Sequence, residues 1–320
     1  MSKQLKCRNL EQALSRIRRV AALLEGDAQL EGLTREAAVC LDKVICQAIV
    51  SELAVDSAEL EPVFQLATWA ARADYLWPLE VFTVNYDLLV ETAFEQARLP
   101  YFDGFVGNLQ GKFHTDLVEG TPEEPEHWLL RSFVRLWKLH GSVNWAWDTD
   151  TETEIVRLGM PVSGAAAAIY PSDTKYDESR RMPFMVLQDR LRRALAQPET
   201  LTLVSGYSFG DDHLNEMLFD AAARHPRSET IVFSYPNIPQ IVKNRARLIP
   251  NLQAVSANEA ILGGQLDCWE PPTGDLPYGD YWKDEEFTLG DFGCLTAHLA
   301  LSSYQSLEES LGTGGRNLDS

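Results

Sequence analysis

The amino-acid sequence predicts an α/β protein with a doubly wound, Rossmann-like parallel sheet, a helical N-terminal part and long loop insertions. Two observations predict this fold. Between residues 79 and 260, short apolar runs alternate with segments whose apolar residues recur at helical spacing, and strands that alternate with helices form parallel sheets with right-handed crossovers. Before residue 78 the apolar residues recur at helical spacing only, so residues 1–77 are predicted to be helical.

Three helices are expected in the N-terminal part. The first begins after Asn9, a typical N-cap residue, and ends at Gly26. The second starts after Thr34, and the third runs from about Pro62 to the region of Arg72. No strand is expected before residue 78.

Five strands are predicted for the sheet core, residues 78–260. Their sequences are LEVFTVN, FVRLWKLHGS, LTLVS before a glycine-bearing loop, ETIVFSYPN, and a short strand at residues 252–255. Residues 103–130 and 148–182 contain Gly, Pro and Glu without a period, so both are expected to be insertions over the edge of the sheet and not extra layers.

We expect one domain over residues 1–300. Within it, residues 1–77 form the helical part, residues 78–260 the parallel-sheet core and residues 261–301 a helical closing segment. Residues 302–320 are rich in Ser, Gly and Glu, and a flexible tail is predicted there.

Composition argues against several classes of function. The 47 acidic and 28 basic residues give a formal net charge of −19, which repels phosphate backbones, so direct nucleic-acid binding is not expected. No run approaches ~18 consecutive apolar residues and the N-terminus lacks a secretory pattern, so we expect a soluble, cytoplasmic protein without membrane association. The five cysteines contain no C-x-x-C pair, so neither a zinc site, nor another metal site, nor a disulfide framework is indicated.

Polar residues cluster where three of the predicted strands end, which is where an open α/β sheet binds its ligands. The first cluster is TVNYD, in which Thr83, Asn85 and Asp87 can face one pocket. An aspartate that opens a helix is also an ordinary N-cap. Both interpretations of Asp87 stay open at this point.

The second cluster is KLHGS, which contains Lys138, His140, Gly141 and Ser142. An imidazole can act as a general acid or base, and the glycine lets the main chain turn close to a ligand. A lone histidine at the end of a strand can equally be structural.

The third cluster is GYSFGDDH, a loop between a strand and a helix. Its free backbone amides suit phosphate or ribose oxygens. Its two acidic residues, Asp211 and Asp212, oppose phosphate there and satisfy the helix dipole instead. The residues of interest in this cluster are Gly206, Tyr207, Ser208, Gly210, Asp211, Asp212 and His213.

Taken in this order, TVNYD, KLHGS and GYSFGDDH resemble the SIR2 family, specifically its SIR2-like branch from bacterial antiphage defence. AIYPSDTKY, between the second and third clusters, also looks like a segment of that branch. The resemblance covers roughly residues 79–260. The family's first strand and its GAGxS loop have no counterpart in the sequence before residue 79.

The resemblance implies roles for individual residues. Asn85 and Asp87 would hold the nicotinamide ribose and the attacking water or substrate, and His140 would be the general base. The loop from Gly206 through Tyr207 to Ser208 would contact the ribose and phosphates of NAD. We further predict that dinucleotide binding involves Thr83, Gly141, Ser142 and Asp212.

Three hypotheses about function follow from the resemblance. The first is an NAD⁺ glycohydrolase of the antiphage-defence type, activated by a partner or by assembly, with NAD as its substrate. The second is a catalytically impaired module that binds an NAD-derived nucleotide or serves as an assembly subunit, which the missing GAGxS loop favours. The third is an NAD-dependent protein deacylase lacking zinc. In each case a homo-oligomer is expected, and a HerA-like ATPase or another defence protein is the expected partner.

Overall fold

The computed structural model divides into two compact units, each built from three segments of the chain. The first unit contains Met1–Ala58, Trp77–Thr92 and Pro100–Arg190; the second contains Glu59–Leu76, Ala93–Leu99 and Leu191–Ser320. The residues that the structure describes are 10–26, 28–30, 32–53, 58–73, 75, 77–120, 133–148, 154–161, 167–169, 182–271 and 281–313. The single domain expected over residues 1–300 stays a prediction.

The N-terminal segment of the first unit is an α-hairpin with a small β-hairpin between its helices. Its elements are α1 (Leu10–Leu23), β1 (Gln29–Leu30), β2 (Leu33–Thr34) and α2 (Arg35–Glu52). The start predicted for α2 is confirmed, because Thr34 Oγ1 accepts a hydrogen bond from Ala37 N at 3.1 Å. The prediction that no strand precedes residue 78 is wrong, because strands of two residues are too short for alternation to reveal. Asn9 lies outside the described residues.

The first unit contains a parallel sheet of three strands, which confirms the predicted α/β class. Its strands are β3 (Leu79–Thr83), β4 (Tyr101–Phe102) and β7 (Val134–Lys138), in the order β3-β7-β4, and α4 (Leu89–Gln96) follows β3. β7 is buried at all of its positions, as expected for the central strand of a sheet covered on both faces. Its register with β3 runs from Leu79 opposite Val134 to Thr83 opposite Lys138.

A second sheet in the first unit corrects the prediction for the two insertions. Its strands are β5 (Phe105–Val106), β6 (Gln110–Phe113), β8 (Gly141–Trp147), β9 (Ile155–Leu158) and β10 (Ala167–Ile169), in the antiparallel order β10-β8-β9-β6-β5. Residues 103–130 and 148–182 therefore contribute strands and not only loops. These strands have two to four residues each, too few to show a period of two in the sequence. The unit also holds the short helix α5 (Thr115–Glu119). The helix α6 (Phe184–Leu195) follows β10 along the chain.

The second unit is built on a five-stranded sheet. The strands β11 (Leu201–Ser205), β12 (Glu229–Phe233) and β13 (Leu252–Val255) are parallel, as predicted, and β14 (Glu259–Leu262) and β15 (Gln265–Cys268) extend the sheet antiparallel. The helices α7 (Asp212–Arg224) and α8 (Gln240–Ala246) connect the parallel strands. Fully buried Val242, Leu252 and Ile261 belong to the apolar core of this unit.

The end of the chain differs from the expected helical segment and tail. Residues 261–301 contain β15, β16 (Trp282–Lys283) and β17 (Glu286–Phe287), and become helical only from Phe292, where α9 (Phe292–Thr313) begins. α9 packs against α3 (Glu61–Arg72) and continues beyond residue 302, because the Leu, Glu and Gln residues there favour helix. None of the described helices is both long and apolar enough to cross a membrane.

Asp103, between β4 and β5, gives the first unit a predicted pH dependence. Burial raises the pKa of its carboxyl to about 6, although Arg157 Nε lies 3.1 Å from Oδ2 and Phe105 N donates to Oδ1, both of which lower it. Because the folded-state pKa lies above the ordinary 3.8, the contribution of Asp103 to stability is present below about pH 4 and is lost as the pH rises through 6.

The quantity to measure is the free energy of unfolding of the wild-type chain minus that of the Asp103→Asn variant. We expect this difference to fall as the pH rises from about 4 to about 6. The fall should be on the order of 3 kcal/mol, measured by urea denaturation at a series of pH values. Subtraction of the variant cancels the contributions of the other titrating groups. A difference that is constant or rises over this range would show that burial does not raise the pKa of Asp103.

Candidate functional site

The loop that follows β3 carries the first predicted site residues. Asn85 is exposed, and its backbone N–H donates to Thr83 Oγ1 at 3.1 Å. Asp87 Oδ1 accepts from Leu89 N at 3.0 Å, at the first residue of α4. One oxygen of Asp87 thus accepts from the first N–H of α4, from the residue before the N-cap position Leu88, and the Thr83 hydroxyl accepts from Asn85 N in the turn after β3.

The turn between β7 and β8 carries the second group of site residues. His140 is buried, with 8% of its surface exposed, and lies in the two-residue turn that joins the parallel sheet to the antiparallel sheet. Gly141 has a φ of +91°, which only glycine adopts readily. Ser142 is fully buried, and its hydroxyl donates to the carbonyl of Tyr86 at 3.3 Å.

Main-chain hydrogen bonds bring these two segments together. Leu139 N donates to the carbonyl of Thr83 at 2.9 Å, and Val143 N donates to the carbonyl of Tyr86 at 2.9 Å. Val143 is also the buried centre of an apolar cluster that includes the ring of Tyr86. The loop that carries Asn85 is therefore tied at two points to the turn that carries His140.

A buried ion pair makes a third connection between the same segments. The ammonium of Lys138, at the end of β7, donates to the carbonyl of Asp87 and to Glu91 Oε1, the latter at 2.9 Å. Only 3% of the Lys138 side chain and 12% of the Glu91 side chain are exposed. The sequence did not single out Tyr86 or Glu91. Tyr86 contributes its backbone carbonyl, which every residue has, and a glutamate in the first turn of a helix is common.

The third predicted cluster forms a loop in the second unit, between β11 and α7. Asn215, 1% exposed, holds this loop: its amide donates to the carbonyl of Phe209 at 2.9 Å, and its Oδ1 accepts from the Tyr207 hydroxyl at 3.0 Å. Phe209 has a φ of +55°, an uncommon conformation for a residue with a side chain. Burial, followed by the nearby charge of Asp211, raises the pKa of the Tyr207 hydroxyl well above its usual range.

The groups of this loop divide into internal and exposed ones. The Tyr207 ring packs on Phe209 with centroids 4.6 Å apart, so Tyr207 supports the loop from inside. Asp211 Oδ1 accepts from His213 N at 3.0 Å and from Leu214 N at 3.2 Å, which caps α7. The exposed members are Gly206, Ser208, Gly210, Asp212 and His213. The structure thus joins the first two clusters within the first unit, whereas the third belongs to the second unit.

Cysteines and other possible metal ligands are dispersed. Cys40, Cys268 and Cys294 are exposed free thiols, and Cys46 is a buried one whose pKa is raised by burial and by Asp42. Among the residues that the structure describes, no group of three or more His, Cys, Asp or Glu side chains is placed to hold a metal ion.

Comparison with protein families gives one finding that bears on this site. A family model described as a SIR2-like domain matches residues 79–254, more than half of the chain. This range includes all three polar clusters and confirms the resemblance that their sequences indicated. SIR2-like domains bind NAD in general. A comparison with curated proteins found no match.

The conformation of Gly141 predicts a specific cost of substitution. A Cβ at a φ of +91° is strained whatever the surroundings, so Gly141→Ala should lower the free energy of unfolding by roughly 1–2 kcal/mol. Gly210→Ala is the control, because Gly210 is exposed, has no positive φ, and an added Cβ would meet Ser208 Oγ only at 3.4 Å. Urea denaturation of both variants tests this, and equal losses would contradict it.

Proposed function

The chain belongs to the SIR2-like domain family, and on this premise we propose that it is an NAD⁺ glycohydrolase of the antiphage-defence type. It cleaves NAD to nicotinamide and ADP-ribose and is activated by a partner or by assembly. The observation that carries the proposal is the pairing of β3 with β7, which sets the loop of Asn85 beside the turn of His140. Both segments follow the carboxyl ends of parallel strands, where α/β sheets bind ligands.

Asn85 and Asp87 act on the ribose of the substrate. Breaking the bond between nicotinamide and C1′ of the ribose develops positive charge on the sugar, as in other glycosidic cleavages. The exposed amide of Asn85 holds the ribose and orients it. Asp87 Oδ1 accepts from Leu89 N, and a carboxylate beside the ribose stabilises the sugar more as the positive charge grows, which lowers the barrier.

His140 acts as the general base. Nicotinamide leaves with the electron pair of the broken bond, the water oxygen bonds to C1′, and the imidazole takes a proton from that water. The products are nicotinamide, ADP-ribose and one proton. The placement of His140 in a turn fixed by Leu139 N and Val143 N suits this role, because a general base must be held within hydrogen-bond reach of the water.

The rest of NAD is held by main-chain groups and small side chains. In the proposal, Gly206, Ser208 and Asp212 contact the ribose and phosphates, since all three are exposed in the loop before α7. Thr83, Gly141, Ser142 and Tyr207 act indirectly: the hydroxyls of Thr83, Ser142 and Tyr207 bond within the protein, and Gly141 turns the chain. The predicted homo-oligomer and HerA-like ATPase remain part of this proposal as its means of activation.

A second candidate function is nucleotide binding without cleavage. It is favoured by the hydrogen bonds that already engage Asp87 Oδ1 and the Ser142 hydroxyl within the protein. Such a protein would bind NAD or an NAD-derived nucleotide as a sensor or an assembly subunit. The exposed groups of the loop before α7 would serve this function equally well.

The proposal predicts loss of NAD cleavage in two variants. Asn85→Ala should reduce nicotinamide release by roughly 10²–10³-fold, as for loss of one transition-state hydrogen bond, and His140→Ala by roughly 10²–10⁴-fold. Nicotinamide and ADP-ribose are measured by chromatography after incubation of the purified chain with NAD. Asn108→Ala and His114→Ala are matched controls, because both residues are exposed, lie in the first unit and stand outside the two clusters.

The outcomes separate the two candidate functions. Cleavage retained in both site variants would overturn the residue roles. If the wild-type chain binds NAD by calorimetry but releases no nicotinamide, alone or assembled, the glycohydrolase proposal fails and the second candidate stands.

A further inference from the structure

Lys138 is a buried charge that the proposed chemistry does not use. It ends β7 two residues before His140, and only 3% of its side chain is exposed. Burying an ammonium is costly unless hydrogen bonds and an opposite charge compensate it. Both kinds of compensation are present, and both come from the segment that follows β3.

The contacts of Lys138 reach the main chain on the far side of Asn85. The carbonyls of Thr83 and Tyr86 accept from the backbone N–H groups of Leu139 and Val143, whereas the carbonyl of Asp87 accepts from the Lys138 ammonium. Of these three hydrogen bonds, the one to the Asp87 carbonyl has a side-chain donor. A substitution of Lys138 therefore removes it without altering the backbone donors of the other two.

Glu91 gives the ammonium its counter-charge. Its Oε1 lies 2.9 Å from Lys138 Nζ, in the first turn of α4. An uncompensated ammonium beside Asp87 would oppose positive charge that develops on a bound ribose. Paired with Glu91, the ammonium contributes no net charge at this place.

We propose that Lys138 is a positioning residue, which fixes the main chain between Asn85 and Asp87 through the Asp87 carbonyl while Glu91 neutralises its charge. This inference rests on the proposed glycohydrolase function for its kinetic consequence. Its structural part, the ordering of residues 84–88 by Lys138, is independent of that function. Loss of Lys138 therefore misplaces Asn85 and Asp87 without removing any group that contacts NAD.

Three variants test the inference: Lys138→Met, Glu91→Gln and the double variant. Lys138→Met keeps an unbranched side chain that is one atom shorter and removes the donor. It should lower kcat by roughly 10²-fold with KM changed by less than about threefold, because misplaced catalytic groups slow the reaction by about this factor. Glu91→Gln keeps the bond to Asp87 and should lower kcat by less than about tenfold. The double variant should regain most of the urea midpoint lost in Lys138→Met, because no buried charge is left unpaired, but kcat should stay low.

Hydrogen exchange without NAD supplies a readout that does not depend on activity. The reporters are the Asn85 and Leu89 amides, bonded to Thr83 Oγ1 and Asp87 Oδ1 respectively. They should exchange about tenfold faster in Lys138→Met and in the double variant than in the wild type, while the amides of β12 stay unchanged. If the wild-type chain does not cleave NAD, the proposed function fails and exchange alone decides this inference. Unchanged exchange at Asn85 and Leu89, or recovery of kcat together with stability in the double variant, would overturn it.

Discussion

The parallel pairing of β3 with β7 is the interaction on which the candidate site depends. Its register sets Thr83 opposite Lys138, so that the loop after β3 meets the turn after β7. Because side chains alternate across a strand, a slip of one residue would turn Lys138 to the opposite face of the sheet. Lys138 would then no longer contact Asp87 and Glu91. One of the hydrogen-bonded connections between the loop of Asn85 and the turn of His140 would be lost with these contacts.

A polar cluster centred on Glu80, near the start of β3, also links the same two strands. Glu80 on β3 accepts from Trp137 Nε1 on β7 at 2.8 Å and from Arg190 Nε at 2.8 Å, and Arg135 Nη1 lies 3.7 Å from Glu80 Oε1. Both arginines are 5% exposed, and burial lowers the pKa of Arg135. Buried ion pairs contribute little net stability, but mispairing them is costly. We interpret the cluster around Glu80 as the feature that specifies the pairing of β3 with β7. The cluster around Lys138 specifies the conformation of the loop after β3.

Sequence reasoning succeeded where an apolar run was bounded by turn residues and failed inside the two insertions. The strands β3, β7, β11, β12 and β13 were all predicted, because each is an apolar run bounded by turn residues. The strands of the antiparallel sheet that lie in the insertions, β5, β6, β9 and β10, were missed, because they have at most four residues and lie among Gly, Pro and Glu. Pairing across the sheet, which no local pattern encodes, makes these segments strands.

For the candidate site, the sequence by itself indicated the family, through the order of its motifs, and the strand ends that carry polar residues. The roles proposed for Asn85, Asp87 and His140 come from that family resemblance. Only the tertiary structure decided which of the predicted site residues already form hydrogen bonds within the protein: Asp87 Oδ1 accepts from Leu89 N, Ser142 donates to the Tyr86 carbonyl, and Tyr207 donates to Asn215 Oδ1. It also showed the contacts of Lys138 with Asp87 and Glu91, because a hydrogen bond to a distant carbonyl depends on which strands pair, and pairing is a property of the folded chain.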